Sequence, residues 1–227
     1  MKHCVSIVIP VLNEASQLTA TLNALQPLRN RCQLIVVDGG SHDGSPEQAR
    51  PWVDKVLAGP RGRAAQMNCG AKASDAGVLL FLHADTGLPD DAIDAILDAL
   101  AAGYHWGRFD VRLDAQAPVF RLIAAMMNRR SRLTGIATGD QGIFVRREMF
   151  EAVGGIPAIA LMEDIALSKQ LKKQGKPACL RTTVLTSARR WQQHGIARTI
   201  LLMWWLRLAY FFGADPDALA ARYYRRS

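Results

Sequence analysis

No Cys-x-x-Cys pair occurs in the chain, whose cysteines, Cys4, Cys32, Cys69 and Cys179, lie far apart. That spacing disfavours a structural zinc site and points to reduced thiols in a cytoplasmic protein. No Gly-x-Gly-x-x-Gly follows the first apolar segment and no Gly-x-x-x-x-Gly-Lys-Ser/Thr is present, so dinucleotide oxidoreductases and P-loop NTPases lose their main support. A Gly-x-Ser-x-Gly elbow is missing as well. Long apolar runs are missing too. The uncharged stretch between Arg198 and Arg207 is only Thr199 to Leu206, far short of the roughly 20 residues that cross a bilayer. With only Lys2 and His3 before the first strand, no secretory leader is expected. Acids are the scarcer charge: 20 Asp and Glu against 28 Lys and Arg leave a net charge of +8. An anionic partner follows, whether nucleotide phosphate, nucleic acid or an acidic membrane face. Aromatics make up 7% and do not interleave with basic residues as in single-strand binders, so nucleic acid is not the expected partner.

What is present is a chain with 49% hydrophobic residues, enough for one α/β core with an appendage. Its pivot is Val78 to Leu82, an apolar run that ends in His83-Ala84-Asp85-Thr86. Such a run reads as a strand buried on both faces, and these belong to parallel sheets between helices. If the strand continues through the polar residues, His83 and Asp85 point the same way and could grip one cation. The alternative is that Asp85 caps the helix starting near Pro89. Cys4 to Val11 reads as the first strand, with Pro10 marking its end, and Gln33 to Val37 as the second, ending at Asp38. Gly39 to Gly44 form a turn, and Leu18, Leu22 and Leu25 a helix face behind Ser16. Lys55 to Ala58 is a brief edge strand, and the basic turn Gly59 to Arg63 feeds a helix through Asn68 and Lys72. A helix with Ile93, Ile96, Leu97 and Leu100 inward then stops at Gly103. The β-α alternation predicts an α/β fold with a mostly parallel, Rossmann-like sheet flanked by helices.

Beyond Gly103 the reading predicts a half-exposed strand over Trp106 to Leu113, a basic amphipathic helix over Val119 to Arg132 and short strands at Gln141 to Val145 and Cys179 to Leu185. Between the last two, a helix opens at Met162-Glu163-Asp164. The expected division is 1–187 for the α/β domain and 188–227 for a helical appendage. Arg189 to Phe212 should be helical and pack on the core or on a second copy of the chain. The competing reading is an interfacial anchor, with Trp204, Trp205, Tyr210 and Phe211 at headgroup depth and Arg222, Arg225 and Arg226 near anionic lipid.

Asp38, Asp85 and Asp164 are expected at one sheet edge, where ligands of open α/β sheets bind. Three carboxylates crowd expensively unless a cation joins them. A divalent Mg2+ or Mn2+ with a nucleoside diphosphate is the economical answer. Ser6-Ile7-Val8-Ile9-Pro10-Val11-Leu12-Asn13-Glu14, Val36-Val37-Asp38-Gly39-Gly40-Ser41-His42-Asp43-Gly44-Ser45, Leu82-His83-Ala84-Asp85-Thr86 and Glu163-Asp164, in this order, resemble the motifs of glycosyltransferase family 2, inverting nucleotide-sugar transferases of GT-A fold. Gly139-Asp140-Gln141-Gly142-Ile143-Phe144 and Arg189-Arg190-Trp191 resemble the small branch of selenodomain-associated transferases.

The resemblance implies a donor pocket built from Pro10, Leu12, Asn13, Glu14, Asp38, Gly40, Arg63, Asn68, Ala84, Asp85, Asp140, Arg190 and Trp191, with a UDP-sugar favoured. Asp38 would accept from the base, Asp85 would hold the cation, and Asp164 would act as base towards a hydroxyl acceptor, with Glu163 the weaker candidate. His83 and His194 are further candidate metal ligands. Three departures stand out: Gly39 replaces the second acid of the Asp-Asp-Gly-Ser run, His83 the first acid of Asp-x-Asp, and Ser187 the Gln expected before Arg190. A ligating imidazole must be neutral, so metal-dependent activity should weaken below pH ~6.5. Competing readings are a sugar nucleotidyltransferase, and a basic membrane-surface or nucleic-acid binder without catalysis. The expected location is cytoplasmic, with peripheral contact at the inner membrane face through the C-terminal helix and homo-oligomerisation as open alternatives.

Overall fold

The computed structural model describes residues 4–224. Lys2, His3, Arg225 and Arg226, on which the leader and lipid readings drew, lie outside the described residues. The first half alternates strands and helices: β1 (Val5–Val11), α1 (Ala15–Ala24), β2 (Cys32–Asp38), α2 (Ser45–Ala49), β3 (Lys55–Ala58), α3 (Arg63–Ala73), β4 (Val78–Phe81), a two-residue β5 (Thr86–Gly87) and α4 (Ala92–Ala101). There follow β6 (Trp106–Asp114), α5 (Pro118–Thr134), β7 (Ile143–Arg146), α6 (Arg147–Ala152), α7 (Glu163–Gln174) and β8 (Ala178–Ser187). Three helices close the described chain: α8 (Arg189–His194), α9 (Ile196–Phe211) and α10 (Pro216–Tyr224).

The eight strands form one sheet in the order β3-β2-β1-β4-β7-β6-β8-β5. Strands β1 to β4 pair in parallel, as the alternation predicts. Past β4 the sheet becomes mixed: β7 is antiparallel to both its neighbours, β8 is parallel to β6, and β5 is antiparallel to β8. Every residue of β1, β2 and β4 is buried, because helices cover both faces. Successive side chains alternate between them. Ile7, Ile9, Leu34, Val36 and Leu80 join the layer containing α1 and α4, whereas Val8, Ile35, Val37, Leu79 and Phe81 join the layer containing α3 and α7.

Two strand ends differ from the expectation for one shared reason, the reach of neighbouring strands. Pro10 does not end β1; it sits in register with Val37. Val8 O accepts from Leu82 N on the β4 side, and Pro10, two residues on, faces the same way. β4 has already ended opposite Val8, so the missing proline N–H forfeits no ladder bond. β4 itself stops at Phe81, where its pairings with β1 and β7 both run out. Thr86 N instead donates to His83 O at 3.1 Å, closing a turn. His83 and Asp85 therefore do not share one side of an extended strand.

β6 is also more covered than expected, since β7 and β8 flank it; only from Asp110 does it alternate. The expected single helix from Arg189 is broken at Gly195, whose φ of +81° interrupts it. No described helix is long and apolar enough to cross a membrane.

Candidate functional site

The carboxyl ends of β1 and β4, the start of α3, the 139–141 turn, the start of α7 and helices α8 to α10 enclose a cleft of about 780 Å3. Pro10, Leu12 and Glu14 line it together with Arg61 and Arg63 and with His83, Ala84, Asp85, Asp140, Glu163 and Asp164. Arg189, Arg190, Trp191, Arg207 and Tyr223 also line it, with Arg189 Nη2 3.5 Å from Glu14 Oε2. A cleft this size suits a nucleotide-sized ligand.

Each cleft acid is placed by backbone. Met162, with φ +68°, turns the chain sharply into α7, putting Glu163 and Asp164 in its first turn, where carboxylates gain from the helix dipole. Asp164 Oδ2 accepts from Gly139 N at 2.8 Å and Oδ1 from Ile165 N at 2.7 Å. Burial nevertheless pushes the Asp164 carboxyl up from its ordinary value, the neighbouring Asp140 charge adding to the effect while the two amides and His83 oppose it. Glu163 is likewise raised, by burial first and then by Asp164. Asp140 follows Thr138, which caps its short turn in a box with Gln141. Burial raises the Asp140 carboxyl too, but His83, Arg63 and Arg130 outweigh it and hold it below the usual carboxylate range. Arg130, half-buried near Asp164 and Asp140, has its pKa lowered by desolvation, and its Nε and Nη2 have no hydrogen-bond partner among the described residues.

Asp85 keeps its carboxylate largely available, with only a long 3.4 Å contact from Thr86 Oγ1. His83 does not stand ready as a ligand beside it. Its Nδ1 lies 3.3 Å from Asp140 Oδ1, and its Nε2 is packed so close to Gly139 that a Cβ there would sit 2.2 Å away. His194 is not among the residues lining the cleft. No group of three or more His, Cys, Asp or Glu side chains among the described residues is placed to hold a metal ion. The residues thus fit an oxygen-ligated cation that takes one carboxylate, Asp85, and completes its shell with phosphates and water. They do not fit an all-protein cage.

The expected convergence of Asp38 with Asp85 and Asp164 is met by the latter two alone. Asp38 Oδ2 accepts from Gly40 N at 2.9 Å and Ser41 N at 3.0 Å, so its carboxylate stabilises its own turn. Asn13 braces loops rather than lining the cleft: its N donates to Ser41 Oγ at 2.8 Å and its Oδ1 accepts from His42 N at 2.9 Å. Gly40, with φ +92°, is spent on the same turn. Asn68 pairs with the Ile156 backbone at 2.8 and 3.0 Å, which positions the loop before α7. Arg190 stacks on Tyr223, with the guanidinium carbon 3.9 Å from the ring centroid, and donates to its hydroxyl.

Sequence reasoning missed Gln66, Arg207 and Tyr223. Buried Gln66 Nε2 donates to Val11 O at 2.7 Å and Val37 O at 2.8 Å, tying the ends of β1 and β2 under the cleft. Its spacing from Arg63, one helical turn on, was the available signal. Arg207 Nε is buried without a hydrogen-bond partner among the described residues, and nothing local marks it or Tyr223.

The model of glycosyl transferase family 2 matches residues 6–154. The undecaprenyl-phosphate 4-deoxy-4-formamido-L-arabinose transferase of Aeromonas hydrophila subsp. hydrophila is 31% identical over 160 residues, 63% of this chain and 48% of that protein. Glycosyltransferase AglE of Haloferax volcanii is 33% identical over 91 residues, 36% of this chain and 30% of that protein. The chain spans at most about half the length of these two curated relatives. Among solved structures, S. aureus TarS 1-349 aligns with a TM-score of 0.66 and 16% identity over 83% of this chain and 61% of that one. The mannosyltransferase PcManGT of Pyrobaculum calidifontis, in complex with GDP-Man and Mn2+, aligns at 0.59 and 19% over 82% and 57%. Glucosyl-3-phosphoglycerate synthase of Mycobacterium tuberculosis, in complex with Mn2+ and UDP, aligns at 0.59 and 16% over 80% and 70%. At such identities these structural likenesses speak to the fold, an eight-stranded mixed sheet flanked by helices.

Proposed function

This chain belongs to glycosyl transferase family 2, and from that premise we propose that it moves a sugar from a nucleoside-diphosphate donor to an acceptor oxygen, with inversion at the anomeric carbon. The observation that carries the reading is the pairing, in one cleft, of a buried acid at the start of a helix, Asp164, with an available carboxylate, Asp85, and arginines at Arg61 and Arg63. The donor's diphosphate would lie at the start of α3, where the helix N-terminus and Arg63 favour anions. Arg63 acts electrostatically on Glu14, His83, Asp140 and Glu163, which places it centrally among the cleft acids.

Asp164 takes the proton from the acceptor hydroxyl as its oxygen forms the new bond to the anomeric carbon, and the bond from that carbon to the diphosphate oxygen breaks on the opposite face. Its raised pKa suits a base, because a stronger base accepts the proton more readily. Asp85 would hold Mg2+ or Mn2+, which when bound offsets charge on the departing diphosphate. The base and ribose lie along Pro10 to Leu12. Two neighbours by structure are complexes with Mn2+, one with GDP-Man and one with UDP, and TarS has been seen with UDP-GlcNAc, which supports a nucleoside-diphosphate sugar as donor.

A second reading concerns the acceptor. The cleft-lining Arg207, whose buried Nε has no hydrogen-bond partner among the described residues, and relatives named as undecaprenyl-phosphate transferases favour an acceptor that itself carries a phosphate. The test of the main reading is a melting-shift panel of nucleotide sugars with and without Mn2+, repeated on Asp85→Ala. A donor that raises the melting temperature of the parent alone, and only with the cation, supports it. No shift from any nucleotide sugar or nucleoside diphosphate with any divalent ion refutes it.

A further inference from the structure

Helix α9 buries one face and leaves the other bare. Leu206 is fully buried and Leu202, Met203 and Tyr210 pack beside it. On the opposite side Leu201, Trp204, Trp205, Leu208, Phe211 and Phe212 are 70, 65, 41, 58, 73 and 78% exposed. These positions recur at three- and four-residue intervals, so they form a single stripe along the helix. A contiguous exposed apolar stripe marks an interaction surface. Its composition is that of helices lying in a membrane interface, with tryptophan and phenylalanine beside leucine.

Charge selects the occupant. Of the arginines near α9, Arg198 and Arg222 lie beside the stripe, whereas Arg189, Arg190 and Arg207 line the cleft; no Asp or Glu occurs between 189 and 213. Arg198 and Arg222 line a shallow groove with Leu201, Leu202 and Trp205, and Arg222 stacks on Trp205 with its guanidinium carbon 4.1 Å from the ring centroid. A second copy docked through the same stripe would set these arginines against each other. An anionic bilayer would meet both the apolar stripe and its basic fringe. The opposite flank of the same helix lines the cleft through Thr199, Met203 and Arg207.

We infer that the outward face of α9 docks this protein on an anionic lipid surface, with the cleft opening beside the bilayer. The inference deepens the proposed transfer by locating the acceptor on a lipid, and it rests on that reading only for this consequence. The docking is tested by flotation of the full chain, without donor or acceptor, on vesicles of phosphatidylcholine alone and of phosphatidylcholine with phosphatidylglycerol. The expected result is flotation with the anionic vesicles, a blue shift of tryptophan emission on binding, and weakening with salt. Leu208→Glu combined with Phe211→Glu should weaken binding by at least ~10-fold with an unchanged melting temperature. Arg198→Glu should weaken it by about fivefold or more. Failure to float with anionic vesicles, or flotation indifferent to Leu208→Glu with Phe211→Glu, overturns the inference. So does light scattering that finds a dimer which this double variant splits, since the stripe then serves a second copy. Donor-dependent melting shifts are read separately, so docking can fail while the transferase reading stands, and the reverse.

Discussion

His83 Nδ1 and Asp140 Oδ1 lie 3.3 Å apart, joining the turn after β4 to the turn before β7 within the cleft. Burial alone would lower the His83 pKa, but the hydrogen bond and charge of Asp140 more than reverse this and raise it. Asp140 shifts the opposite way, since His83 and the nearby arginines outweigh its burial. A histidine raised above its unfolded value of 6.5 adds stability that is complete below that pH and lost as pH rises through the folded value. An aspartate held below 3.8 adds stability present above that pH and lost as pH falls through the folded value. The pair therefore stabilises most between the two. Asp140 is 45% exposed, so solvent screening keeps the contribution to about 0.5–1 kcal/mol. In metal-free buffer with chelator, the parent should melt ~1–4 °C above His83→Gln near pH 5.5, and the gap should close by pH 9. A gap that widens with pH contradicts the pairing.

Asp164→Asn keeps the shape and one acceptor oxygen but removes the base. With a hydroxyl acceptor, kcat should fall by about 10^2–10^4 while donor-dependent melting shifts persist. With a phosphate acceptor the attacking oxygen is already ionised, and the loss should be far smaller; the two acceptor readings separate on this variant. Because burial and Asp140 raise the Asp164 pKa above its ordinary 3.8, the acid limb of kcat/KM should lie above that value. Asp140→Asn removes a like charge and should move the limb downwards.

Gly139 ties the site together through its missing side chain. Its N donates to Asp164 Oδ2, and an added Cβ would lie 2.2 Å from His83 Nε2 and 2.6 Å from Cε1. Gly139→Ala must push the imidazole away or shift the turn. Overpacking of this kind costs about 1–3 kcal/mol, so the melting temperature should drop and turnover should fall more than donor binding. Gly77→Ala, where nothing lies within 4 Å, is the control and should change neither.

How much of this was legible depended on how local each interaction is. β1, β2 and β4 declared themselves as unbroken apolar runs because each is buried on both faces. Asp85 and Asp164 were found because each ends or opens an element, where a carboxylate faces the crevice, and Asp140 only through the resemblance of the Gly139 to Phe144 stretch. Asp38 was named because its Asp-Gly-Gly-Ser run ends a strand and resembles Asp-Asp-Gly-Ser; such a run is also a good turn, and in the folded chain Gly40 N and Ser41 N donate to the carboxylate. His83 misled because its partner, Asp140, is distant in sequence and the strand that would have aimed it with Asp85 stops early. The strand order beyond β4 was not legible at all, since short apolar runs carry no signal for which neighbour they will choose. The bare face of α9 was legible only in part: Trp204, Trp205 and Phe211, named for an interfacial anchor, are exposed, whereas Tyr210, named with them, packs inward. Apolar residues nearly encircle the helix, and which side is covered depends on the loop before α7 and on α10.

Leu206 connects that helix to the chemistry. It is fully buried against Leu161, Met162, Ile165, Leu219, Ala220 and Tyr223, the cluster that surrounds the left-handed Met162 at the start of α7. Truncation to alanine opens a cavity that the helix cannot fill without sliding, at a cost of about 2–5 kcal/mol. The cluster is a satellite of the main core, so part of that cost should appear as local loosening of α9, α10 and the 158–164 segment. Leu206→Ala should therefore lower the melting temperature, raise hydrogen exchange at the start of α7, and reduce kcat more than it raises KM for the donor, because Asp164 loses its fixed position. Leu208→Ala, two residues on and 58% exposed, removes a side chain of the same kind from the opposite face and should stay within about 0.5 kcal/mol of the parent. Equal destabilisation by the two variants would mean that α9 is packed on both sides, and would remove the physical basis for its bare stripe.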